Sequence, residues 1–90
     1  MMLAIRRTSK FKKDYKRCIR RGYEIGKLGD VVRLLANGMK LEAKYRDHTL
    51  SGEFDDCREC HIEPDWLMIY QITGYELVLI RTGTHADLFE

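Results

Sequence analysis

Residues 66–73 read WLMIYQIT. Successive residues of a strand point to opposite faces, so a run that is apolar at both odd and even positions has to be covered on both sides. Such a segment belongs in the middle of a sheet. Its flanks carry turn formers. Pro64 stops a candidate strand over 56–63, Gly74 separates the run from another over 75–82 (YELVLIRT), and Gly83 ends that one. A short candidate strand covers 50–53. Consecutive strands with short links pair antiparallel.

The first half has a different period. Residues 2–7, MLAIRR, alternate weakly and predict a short first strand. Thr8 or Ser9 then offers an N-cap. Phe11, Tyr15, Cys18 and Ile19 fall at i, i+4, i+7 and i+8, one apolar stripe of a helix, and Lys12, Lys13, Lys16, Arg17 and Arg20 fill the rest of the cylinder. Gly22 stands where a C-cap would. A second helix is predicted over 25–37, with Ile25, Leu28, Val31, Val32, Leu34 and Leu35 inward. Gly26 and Gly29 weaken its first turn, and Asp30 can cap a shortened version. Residues 39–49 show no clean period and predict a connecting loop.

The expected fold is α+β: a small antiparallel sheet with an N-terminal helical hairpin packed on one face, in the order β-α-α-β-β-β-β. At 90 residues, one domain spans 1–90, burying roughly 60–65% of the surface its unfolded chain exposes. No apolar run reaches membrane-helix length. The first residues carry charges with no apolar segment behind them, unlike a secretory signal, so a cytoplasmic location is expected.

Residues 57–61 read CRECH, the C-x-x-C-H pattern of covalent haem attachment. On a strand, two cysteines three apart point to opposite faces and cannot grip one ligand. The intervening Arg58 and Glu59 supply no turn, and no second cysteine pair completes a zinc site. Cys18 makes three cysteines, an odd count that argues against a disulfide framework. No cofactor or metal is expected.

Residues 1–46 carry 14 Lys/Arg against 4 Asp/Glu, whereas 47–90 carry 2 against 10. A basic half suggests a polyanionic partner; the bland alternative is a helical hairpin with a solvated outer face. The three histidines, His48, His61 and His85, each sit at an element end and none lies on an apolar stripe. Each is either a surface or turn residue or a general acid or base. Asp65 can orient a histidine or simply follow Pro64 in a turn. Trp66 is either core or an exposed plate on which a base stacks. Phe89, in a segment that would otherwise fray, is a docking plug or a ligand contact.

Three segments together carry a resemblance. YRDHTLSG at 45–52, HIEPDWLMIY at 61–70 and RTGTHADLF at 81–89 resemble, in order and spacing, the YafQ family of bacterial type II toxins, in the RelE/ParE superfamily. TSKFKKDYKR and the helix pair also fit, so the resemblance spans essentially the whole chain. It implies a RelE/ParE-like fold and a ribosome-dependent endoribonuclease that cuts mRNA and is silenced by an antitoxin. The expected partners are that antitoxin, the ribosome and mRNA, with no membrane. The toxin is expected to be monomeric alone and part of a larger hetero-oligomer with its antitoxin. The family's catalytic and substrate-contacting positions match His48, His61, Asp65, Trp66, His85 and Phe89. The cysteines are not part of the family motif.

Metal-free RNA cleavage needs the 2′-hydroxyl to lose a proton, the leaving 5′-oxygen to gain one, and the phosphorane charge to be stabilised. Under this resemblance His85 is the expected general acid and Asp65 the candidate general base. His48 and His61 position the nucleotide or stabilise charge, Lys44, Arg46 and Arg81 supply cations, and Trp66 holds a base. The alternative is a non-catalytic toxin of the same superfamily that binds another target such as gyrase.

Overall fold

In a computed structural model the described residues are 2–90. The chain runs β1 (Ala4–Arg7), α1 (Ser9–Arg20), α2 (Ile25–Ala36), β2 (His48–Thr49), β3 (Arg58–Glu63), β4 (Trp66–Ile72), β5 (Glu76–Gly83) and α3 (His85–Phe89). Short 3₁₀ turns occupy Ala43–Tyr45 and Gly52–Phe54. The five strands form one sheet in the order β1-β5-β4-β3-β2. β4 lies at its centre, as its two apolar faces require.

The helical hairpin and the succession β-α-α-β-β-β-β match the expectation, and α3 is a further short helix after β5 that was not expected. The sheet is not wholly antiparallel: β1 runs parallel to β5, with Ala4 opposite Glu76 and Arg7 opposite Leu79. Short turns force β2 to β5 to alternate in direction. β1 is separated from its partner by the helices, so no hairpin turn sets its direction. The strand expected at 50–53 is displaced. The bridging pair is His48–Thr49, opposite Glu59 and Arg58, and Gly52 turns the next segment at φ +73°.

Thr8 caps α1, accepting the Phe11 N–H at 3.0 Å. Its own N–H and hydroxyl bind the carbonyls of Leu79 (3.1 Å) and Ile80 (2.8 Å), so α1 starts against β5 where β1 ends. The buried face of α1 carries Phe11, Asp14 and Cys18, whereas Ile19, expected on that stripe, is 52% exposed. α2 starts at Ile25 rather than being shortened to Asp30, which instead pairs with Arg33 on the surface.

The core between helices and sheet is built from Phe11, Cys18, Leu28, Val31, Leu35, Cys60, Ile62, Trp66, Met68, Tyr70, Leu77 and Leu79. Each large side chain so buried contributes roughly 1.5–3 kcal/mol. The other face of the sheet has a smaller cluster, Leu67, Ile69 and Leu88, flanked by Leu50, Phe54, Cys57 and Ile80. A bulge opposite Ile69 and Tyr70 leaves Ile80 as an extra residue in β5 and returns Thr82 to the helix side.

Candidate active site

The site is built on the sheet face opposite the helical hairpin, where α3 packs through Leu88. His48 on β2 stands directly across from Glu59 on β3, and His61, two residues on, shares that face. The β3–β4 turn presents Asp65, and α3 delivers His85. The imidazole of His61 is central, 6.4 Å from the His48 ring and 5.7 Å from that of His85, which it meets edge-on. All three histidines and Asp65 are therefore brought together.

Each ring is held by its Nδ1. His48 Nδ1 lies 2.7 Å from the Arg46 carbonyl, and His61 Nδ1 lies 3.3 Å from the Pro64 carbonyl. A carbonyl only accepts, so these partners assign the proton to Nδ1 in both rings and leave Nε2 as the basic nitrogen. His85 donates from Nδ1 to Asp65 Oδ1 at 2.6 Å, and the same oxygen accepts the His85 backbone N–H at 2.9 Å. Those two hydrogen bonds, the backbone one foremost, hold the Asp65 carboxyl below its ordinary range. A carboxylate so stabilised is a weak base. In this geometry both hydrogen bonds to Asp65 Oδ1 come from His85, so Asp65 is placed to orient that ring.

His85 and Phe89 owe their placement to α3. Thr84 and Asp87 form a reciprocal capping box, the Asp87 N–H to Thr84 Oγ1 at 3.1 Å and the Thr84 N–H to Asp87 Oδ2 at 2.9 Å. Gly83, at φ +155°, leaves room for this: a Cβ there would stand 2.8 Å from Asp87 Oδ2. Arg21 (2.6 Å) and Arg17 (3.3 Å) bind Asp87 and tie α3 to α1. The Arg21 guanidinium holds the Asp87 carboxyl well below the usual carboxylate range, against the opposing effect of burial. Phe89 remains about half exposed, edge-on to Phe54 at 6.0 Å, so it is available to a ligand.

Two expected substrate contacts are engaged elsewhere. Trp66 is 2% exposed, its Nε1 donates to Thr82 Oγ1 at 3.0 Å, and its ring lies 4.9 Å from that of Tyr23. It faces the helices and offers no plate to a base. Arg81 shares the row His48–Glu59–Ile69–Arg81 across the sheet, but its guanidinium binds Asp14, Nε to Oδ2 at 2.6 Å and Nη2 to Oδ1 at 3.2 Å. Asp14 also accepts the Thr82 N–H at 3.2 Å and pairs with Arg17. The Arg81 guanidinium is thereby engaged by Asp14, with its side chain 18% exposed. Lys44 and Arg46 are free to meet a substrate. With Lys27, Asp30, Tyr45, Pro64 and the edge of His61 they line an open cleft of about 580 Å³.

Cys57 and Cys60 lie on opposite faces, Cys57 in the smaller cluster and Cys60 fully buried in the larger, and burial pushes both thiols up. Neither is poised as a thiolate ligand. Among the described residues, no three His, Cys, Asp or Glu side chains are grouped to hold a metal ion. The residue that sequence reasoning passed over is Glu59, 5% exposed between His48 and His61. Its signal was the strand period, which puts residues 59 and 61 on one face.

A five-stranded sheet with a helical hairpin on one face and a histidine–carboxylate row on the other defines a RelE-like toxin domain. Residues 3–90 match the family described as the bacterial toxin of type II toxin–antitoxin system, YafQ, and the chain belongs to that family. It is 41% identical over 83 residues to the mRNA interferase toxin YafQ of Escherichia coli K12, covering 91% of this chain and 90% of that one. It superposes on the crystal structure of YafQ from E. coli BL21(DE3) with a TM-score of 0.93 at 38% identity, covering 98% and 99% of the two chains. The toxin in the E. coli DinJ–YafQ toxin–antitoxin complex gives 0.92 at 38% identity, covering 100% of both chains.

Proposed function

We propose that this toxin is a ribosome-dependent endoribonuclease that cuts translated mRNA by acid–base chemistry using the RNA's own 2′-hydroxyl. The observation that carries the reading is the row of three imidazoles, two with Nε2 as the basic nitrogen and the third paired through Nδ1 with Asp65. His48 or His61 takes the 2′-hydroxyl proton. The freed oxygen attacks phosphorus, and His85 gives its Nε2 proton to the leaving 5′-oxygen while Asp65 compensates the ring's charge. Lys44 and Arg46 meet phosphate oxygens, and Phe89 packs against a base. The E. coli relative's name, an mRNA interferase, supports the reaction class.

Ribosome dependence follows from positioning. Holding reactants in register is worth several factors of ten, and this chain offers only an open site on a small face. The exposed cations of α1, Lys10, Lys12, Lys13, Lys16 and Arg20, suit ribosomal RNA. The proposed location is the cytoplasm, and the proposed silencing partner is an antitoxin, as in the E. coli complex.

The test is single-turnover cleavage of mRNA on programmed ribosomes beside the same RNA free in solution, with EDTA at a level that leaves ribosomes intact. Cleavage of the ribosome-bound RNA alone, giving a 2′,3′-cyclic or 3′-phosphate and a 5′-hydroxyl, is expected. Equal cleavage of free RNA overturns ribosome dependence, 5′-phosphate products overturn the chemistry, and arrest without cleavage points to a non-catalytic toxin.

A further inference from the structure

The carboxylate of Glu59 sits beneath two imidazoles and belongs to neither of the roles above. One of its oxygens, Oε1, lies 3.5 Å from His48 Nε2 and 3.6 Å from His61 Nε2. The side chain is 6% exposed, while that of His48 is 49% and that of His61 9% exposed. On β4 the residue opposite Glu59 is Ile69, so no cation from that strand faces it. Asp65 and His85 lie on the far side of His61.

A carboxylate costs free energy to bury unless opposite charge meets it. Two neutral rings protonated on Nδ1 would turn two lone pairs toward an anionic oxygen. The arrangement is complementary instead to a ring that carries a second proton, on Nε2. At 3.5–3.6 Å neither contact is yet a hydrogen bond. Neither Nε2 is therefore committed to Glu59 in the resting state, and Oε1 stabilises a newly formed imidazolium as a nearby opposite charge.

We infer that Glu59 is a positioning residue for the cleavage reaction: its Oε1 is the shared counter-charge that stabilises whichever of His48 and His61 becomes imidazolium. In the step proposed above, the 2′-O–H bond breaks as an Nε2–H bond forms, the oxygen's electron pair forms the new P–O bond, and the P–O5′ bond breaks as His85 protonates O5′. The positive charge left on the base then stands beside Glu59 rather than alone in a partly buried site. The inference rests on the ribonuclease reading.

Backbone carbonyls already hold the two ring tautomers, so removing the Glu59 charge forfeits compensation and not orientation. The expected loss is roughly 10- to 100-fold, less than the about 10⁴-fold loss where one carboxylate alone sets a histidine's tautomer. Glu59→Gln should lower the single-turnover rate on programmed ribosomes by that factor, with ribosome affinity changed less than about twofold, and Glu59→Asp should recover part of it. A Glu59→Gln rate equal to the parent's, or a loss confined to affinity, overturns the inference. A parent protein that does not cleave instead overturns the ribonuclease reading. Should Glu59→Gln fail to fold, ring ¹⁵N shifts of the parent protein decide. Nδ1-protonated neutral rings at both His48 and His61, and imidazolium Nε2–H signals on acidification that report a carboxylate acceptor, are expected. Nε2-protonated neutral rings sink it.

Discussion

Asp65 Oδ1 accepts two hydrogen bonds from His85, one from the ring at 2.6 Å and one from the backbone at 2.9 Å. One oxygen thus sets both the ring's tautomer and the start of the helix that carries it. His85→Ala should reduce single-turnover cleavage by about 10²–10⁴ with the thermal transition little changed, since the side chain is half exposed. Asp65→Asn should cut the rate as well, and the double variant should be scarcely worse than His85→Ala alone. Additive losses would show that the two residues act separately.

The same pair has a pH signature. Asp65 is held below its ordinary value of 3.8, so the folded state favours its charged form. The associated stability is present above that value and is lost as pH falls through the lower, folded one. The parent should be more stable than Asp65→Asn at neutral pH, and the gap should close below about pH 4. Urea unfolding of both proteins across pH 2–7 checks this; a gap that widens in acid contradicts the assignment.

Trp66→Ala should act on folding. The ring fills the helix-side core and its N–H satisfies Thr82 Oγ1, so the loss should be about 3–5 kcal/mol. Trp66→Phe should cost about 1–3 kcal/mol for the missing donor and volume. Cleavage per folded molecule should stay near the parent's in Trp66→Phe. A full-stability variant with lost cleavage would restore a direct contact with RNA.

Asp14, 2% exposed, collects Arg81, Arg17 and the Thr82 N–H. Asp14→Ala leaves the largely buried Arg81 guanidinium without its partner and should cost about 3–5 kcal/mol. Because β5 leads directly into α3, the variant should also show faster backbone hydrogen exchange at Ala86–Leu88. Unchanged exchange would mean that Asp14 takes no part in holding α3.

Cys57→Ser with Cys60→Ala should still arrest growth, and the purified protein should show no Soret band. Cys60→Ser is a poorer choice, because a hydroxyl at a fully buried apolar position costs about 1–3 kcal/mol. Stoichiometric zinc or haem in the parent protein would contradict this reading.

The helices and the three long strands were legible because each offers enough residues to show its period. β2 spans two residues and α3 five, below the length at which periodicity speaks, and both carry a histidine of the site. The direction of β1 was hidden because its partner lies over 70 residues away. Asp14 and Glu59 are charged residues on buried faces, so an apolar pattern passes over them; their partners Arg81, His48 and His61 are visible only once the strands are registered. The histidines and Asp65 stood out through motif spacing, but spacing shows neither face nor partner, and so it could not show that Trp66 is buried under the helices or that Asp14 binds the Arg81 guanidinium.

The parallel pairing of β1 with β5 also bears on synthesis. The first strand to leave the ribosome has no partner until Glu76–Leu79 has followed it, and the loop so closed is nearly the whole chain. His85 emerges later still. A growing chain that has not passed residue 85 therefore carries neither a closed sheet nor an assembled row of imidazoles, so the proposed cleavage activity waits on β5 and α3.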